Sequence, residues 1–104
     1  MAVDPKITQR FDELIARGEK VSASLNGSWA EPQLYTAWST SVLNLLSRVT
    51  GTESDHYRNF RTVYDGRDNT EPAAVARCRG VLDAAADDYK NGYTTAPSES
   101  IGIF

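Results

Sequence analysis

Apolar residues recur along this chain at three- and four-residue spacing, in four stretches, three of which open near a proline and each of which is followed by a glycine. That period marks one face of an α-helix; a half-buried strand would alternate at every second residue. Four such stretches follow one another. In the first, Asp4 is the expected cap, and Pro5 stands in a first turn, where its missing N–H costs nothing. Ile7, Phe11, Leu14, Ile15, Val21 and Leu25 form its stripe, and Asn26-Gly27 reads as the stop. The second opens between Ser28 and Pro32, with Ser28 and Glu31 at capping-box spacing. Its stripe of Leu34, Tyr35, Trp38, Val42, Leu45, Leu46 and Val49 is the most apolar and belongs at the centre of a core; Gly51 ends it.

The third stretch, from about Ser54 to Tyr64, turns Tyr57, Phe60, Val63 and Tyr64 inward, and Asp65-Gly66-Arg67-Asp68-Asn69 is a turn by composition. The fourth, from about Thr70 to Asn91, has Pro72 in its first turn, a stripe of Val75, Cys78, Val81, Leu82, Ala85 and Tyr89, and Gly92 as its stop. Short connections between four helices predict an all-α, four-helix bundle-like single domain over residues 1–92, with largely antiparallel neighbours. Residues 93–104 carry Thr, Ser, Pro and Gly without periodicity and read as a flexible tail or interdomain linker. Gly80, in the middle of the fourth helix, costs about 1 kcal/mol relative to Ala, so a close helix crossing is expected there. The weak helix formers Ser39-Thr40-Ser41 suggest a second close approach.

Charge and cysteine usage narrow the function classes. A chain of 104 residues fits one domain. Its formal charge of -3 argues against a general nucleic-acid binder, whose phosphate contacts need a basic face. No stretch is apolar enough to span a bilayer, and the opening Met1 to Lys6 lacks the apolar region of a secretory signal. Cys78 is the sole cysteine, so neither an internal disulfide nor a structural cysteine–zinc site can form. A cytoplasmic protein is the expectation, with Asn26-Gly27-Ser28 a plain turn and not a glycosylation site.

Residues able to carry chemistry are few, and each has a plain structural reading. His56, the only histidine, stands between Asp55 and Tyr57 at a helix start, where a cap or surface residue belongs. A metal site would need partners at ligand spacing. Asp83, Asp87 and Asp88 gather carboxylates near a helix C-terminus, where the dipole disfavours them; Lys90 or a basic partner is the expected compensation. Cys78 faces inward as a buried thiol, although Arg77 and Arg79 would lower its pKa if it were exposed. Arg48, Arg58, Arg61 and Arg67 cluster around the second and third helices, interleaved with Glu53, Asp55 and Asp65 as on a mixed solvated surface. There is no glycine-rich phosphate loop. No catalytic set, metal or cofactor is expected. Helical-bundle nucleases of the HEPN type carry four to six residues between Arg and His, whereas seven residues, Gly51 among them, separate Arg48 from His56.

A longer pattern is shared more widely. Arg10-Phe11-Asp12-Glu13-Leu14-Ile15, Trp38 with Leu43-Asn44-Leu45-Leu46, Gly51 followed by Ser54-Asp55-His56-Tyr57 and Phe60, then Val81-Leu82, Ala84-Ala85, Asp88 and Gly92-Tyr93 resemble a helical module of bacterial anti-phage or abortive-infection proteins. There the module precedes an effector such as a TIR-like or nuclease domain. The resemblance covers most of residues 7–93 and lies in spacing and residue type. It implies an adaptor or oligomerisation role beside an attached effector, and this chain departs from it by stopping at Phe104, where the effector would begin.

The expectation is a non-enzymatic protein–protein interaction or self-association module. One rival is a small metal-dependent or RNA-cleaving helical enzyme using Asp83, Asp87 and His56. Another is a phosphate or nucleic-acid binder using the arginines. Trp29, Tyr35, Tyr93 and Phe104 are rings without a clear inward phase, as interface aromatics are. With Arg48, Arg58 and Arg61, the first three are the expected contacts to a protein partner or to a second copy in a homodimer.

Overall fold

The computed structural model describes residues 3–24 and 30–93. They form four helices, α1 (Pro5–Ala23), α2 (Pro32–Val49), α3 (Asp55–Tyr64) and α4 (Pro72–Lys90), and no strand occurs among the described residues. Three of the helices open on an acidic residue followed by proline. Asp4 and Glu31 each accept a first-turn amide N–H, from Lys6 and Leu34, while Glu71 makes no side-chain cap. Glu31 itself is therefore the cap of α2, in place of the expected Ser28–Glu31 box; Ser28, like Leu25, lies outside the described residues.

The ends are equally local in origin. Gly51 and Gly92 follow α2 and α4 with φ of 86° and 78°, a region that costs a side chain-bearing residue but not glycine. At α4 the amide of Tyr93 donates to the Asp88 carbonyl and that of Gly92 to Tyr89, the paired bonds of a Schellman stop. Between α2 and α3, the Ser54 hydroxyl accepts from the Tyr57 amide and shares its one proton between Thr50 Oγ1 at 2.8 Å and the Gly51 carbonyl at 2.9 Å.

The helices pack in chain order around the bundle. α1 and α3 each lie against both α2 and α4, and α2 and α4 meet across the centre. α1 and α4 run antiparallel: Tyr89 Oη accepts from the Asp4 amide at one end, and Arg79 donates to Ser22 Oγ at the other. At the loop end, the Ala30 amide donates to the Thr70 carbonyl at 2.8 Å and ties the two helix–helix connections together.

Trp38 organises the core. Its ring meets the edges of Tyr35 and Phe60, with centroids 6.1 and 5.9 Å away, and its Nε1–H donates to the Leu14 carbonyl at 2.7 Å. Phe11, Leu14, Val42, Leu46, Val75, Cys78 and Leu82 complete one buried cluster, which also takes in Leu45. The N–H-bearing edge of the indole fits against α1 because position 18 is glycine: a Cβ there would sit 3.0 Å from the indole. Gly18, and not Gly80, is the close crossing. Around Gly80 a Cβ would meet nothing within 4 Å, so the crossing expected at that residue does not exist within the bundle. Of the Ser39-Thr40-Ser41 run, Ser39 is buried and satisfies its hydroxyl on the Tyr35 carbonyl at 2.7 Å, whereas Thr40 is exposed. Leu34, expected inward, is 46% exposed. The buried face of α2 is set by Tyr35, Trp38, Val42, Leu46 and Val49, and a residue one position before Tyr35 is turned about 100° away from it.

Candidate interaction surface

Tyr35 belongs to the core and not to a contact surface. It is 1% exposed, with its hydroxyl 3.6 Å from Cys78 Sγ. The expectation that it meets a partner is corrected by the same phase that turns Leu34 outward. Cys78 is buried, as expected. Burial pushes its thiol above the ordinary range, against the smaller lowering influence of the Tyr35 hydroxyl and Arg77. Burial likewise raises the Tyr35 phenol, reinforced by its bond to Cys78. Both groups are held neutral. Tyr93 is 80% exposed, as an interface ring can be, and Trp29 and Phe104 lie outside the described residues.

The arginines are spread and partly neutralised at home. Arg58 pairs with Glu53 at 3.4 Å. Arg61 donates to both carboxylate oxygens of Asp65, at 3.1 and 3.0 Å, and lies over the Tyr64 ring. Those bonds to Asp65 hold its guanidinium above its ordinary pKa. Arg48 and Arg67 are exposed. Two of the four arginines thus have acidic partners among the described residues.

His56 and the acidic residues of α4 are only partly brought together. His56, in the first turn of α3, places Nε2 3.0 Å from Asp88 Oδ2 and so links α3 to the last turns of α4. Asp83 is exposed, and Asp87 accepts from the Asn91 side chain instead. Lys90, expected to offset this acidic group, pairs with Asp12 of α1 at 2.7 Å. Among the described residues no three potential metal ligands converge. Asp83, Asp87 and His56, the set an enzymatic reading would need, do not share one site.

What the bundle does present is the outer side of α4. Between α3 and α4 runs an open groove of about 640 Å³, lined largely by apolar surface from Val63, Gly80, Val81 and Ala84, with His56 and Arg77 among its polar groups. A smaller continuation of about 280 Å³ extends past Thr62 and Arg77 towards Glu71 at the start of α4. The helix face beside the groove carries Ala73, Ala76, Gly80 and Ala84, all exposed, with Arg77 and Asp83 at its margins. Neither Arg77 nor Asp83 has an ion-pair partner among the described residues. Sequence reasoning missed this surface because it took Gly80 as evidence of an internal crossing. The signal that was present is the unbroken exposed series of small residues at helical spacing.

No helix among the described residues is long and apolar enough to cross a membrane. Comparison with family models, with curated proteins and with solved structures finds no match to this chain.

Proposed function

We propose that this domain is a protein–protein contact module, the adaptor or self-association part of a bacterial anti-phage protein, and that the outer side of α4 is its working surface. The observation that carries the contact reading is the exposed, small-residue face of α4 with an open apolar groove beside it. The small side chains of such a face let another backbone approach to about 8 Å. Gly80 sharpens the point. A mid-helix glycine lowers stability by about 1 kcal/mol, and no contact inside the bundle compensates. The defence setting follows from the resemblance in residues 7–93, and on that reading contact at α4 regulates an effector domain.

The test is site-specific photo-crosslinking in cells that naturally produce the chain. A photoreactive side chain replacing Ala84 should capture one discrete protein species, whether a second copy or another protein. The same group replacing Asn44, exposed on α2, should capture far less. No adduct from position 84, or equal adducts from both positions, would overturn the assignment of this face.

A further inference from the structure

Resting on that contact reading, we infer that the occupant of the α4 face is α4 of a second copy, packed antiparallel with Gly80 at the twofold axis. The argument is one of charge self-complementarity. At 3.6 residues per turn, Ala73, Ala76, Arg77, Asp83, Ala84 and Asp87 all lie within about 60° of the Gly80 direction, and antiparallel pairing sets Asp87 level with Ala73 of the second copy and away from any like charge. All of them are exposed. Arg77 stands three residues before Gly80 and Asp83 three residues after it. Antiparallel pairing about Gly80 therefore sets Arg77 level with Asp83 of the second copy, and the twofold axis repeats the pair. Ala76 comes level with Ala84 of the second copy, so nothing bulky separates the two backbones. Two charged side chains without partners inside the bundle are thus matched by a single operation, as an isologous interface requires.

The alternative orientations are worse. Parallel pairing in register would bring Arg77 to Arg77 and Asp83 to Asp83, setting like charges together. It would also align the helix dipoles side by side, whereas antiparallel helices oppose them. The α3–α4 groove is not where a symmetric α4 pair sits, because burying that flank would drive the two α3 helices into each other. The contact centre falls on the Gly80 line, and Arg77 reaches in from the groove side. One helix face is a small interface, below the roughly 800 Å² per partner of stable complexes, so the dimer is weak and concentration-dependent.

The experiment is a charge exchange read by sedimentation velocity over a concentration series, using the full chain. The wild-type chain should move from monomer to dimer as concentration rises. Arg77→Glu alone, or Asp83→Arg alone, should weaken association by at least about tenfold, because each sets like charges opposite one another twice. An equimolar mixture of those two variants should dimerise again, since each supplies the charge the other lacks; two misfolded chains would not. Gly80→Gln should block the dimer while raising the melting temperature of the dilute monomer. A wild-type dimer indifferent to these changes would place the interface elsewhere and overturn the inference. Variants that stay monomeric when mixed would overturn it as well. A wild-type chain monomeric throughout would overturn the second copy as occupant. The contact reading itself would survive that result if position 84 still captures a different protein in cells, and would fall with it if nothing is captured.

Discussion

Two glycines in two helices should respond oppositely to the same substitution. Replacing either by alanine removes the backbone freedom that glycine loses on folding, a gain of about 1 kcal/mol in a helix interior. At Gly80 the new methyl meets nothing within 4 Å, so the gain should appear in full. For a domain of this size it corresponds to a rise in melting temperature of roughly 4–8 °C. At Gly18 the methyl would stand 3.0, 3.2 and 3.3 Å from Cζ2, Cε2 and Nε1 of Trp38. The ring must retreat by about half an ångström to reach ordinary contact distance. Tyr35 and Phe60 lean on it, and its N–H is tied to the Leu14 carbonyl at 2.7 Å. Overpacking of this kind costs about 1–3 kcal/mol, and a stretched buried hydrogen bond adds to it. The net expectation for Gly18→Ala is a loss of about 1–2 kcal/mol. Thermal and urea unfolding followed by circular dichroism, in dilute solution so that association does not contribute, measures both variants. Equal stabilisation by the two substitutions would refute the placement of Trp38 on Gly18 and with it the packing of α1 against α2.

Trp38→Ala should cost about 3–5 kcal/mol in the same unfolding assay, since it empties the centre of the aromatic cluster and leaves the Leu14 carbonyl without its donor. Cys78 should react with a thiol reagent far more slowly in the native chain than in urea; labelling at the rate of an unfolded thiol would put it at the surface. Cys78 and Tyr35 both hold their protons more tightly folded than unfolded, so their contribution is intact below the ordinary thiol range near 8.5 and is lost as pH rises through and beyond it. Melting temperature should therefore fall between about pH 8 and pH 11, and the fall should be shallower in a Tyr35→Phe, Cys78→Ala double variant; an unchanged slope would remove this pair from the cause.

Helix positions were readable because their punctuation is local. Pro5, Pro32 and Pro72 each fix a first turn, and Gly51 and Gly92 adopt the backbone angle that stops a helix. The buried face of α1 was readable except at its key position. Gly18 falls in phase with Phe11, Leu14 and Val21, so it is a gap in an apolar stripe, and the indole of Trp38 from α2 lies against that gap. α4 was harder because alanines surround it. Ala74, Ala85 and Ala86 are buried while Ala73, Ala76 and Ala84 are exposed, so only Val75, Cys78 and Leu82 mark the inner side strongly. An apolar period cannot distinguish a glycine that admits a neighbouring helix from one that faces outward. The His56–Asp88 pair was not readable either, because the two residues meet only through the packing of α3 on α4. Its members were weighed separately, as a cap and as part of an acidic group.

The most direct measurement of the central claim is a concentration series of amide chemical shifts in the isotopically labelled chain, from low micromolar to near millimolar. If two copies meet through the outer face of α4, the shifts should move together along one binding curve, centred on Gly80 and its neighbours from Ala73 to Asp87. The amides of Gln33, Thr36 and Ala37, which with Pro32 line a separate apolar hollow on α2, should stay still. Shifts centred on that hollow, or none over the whole range, would contradict the account.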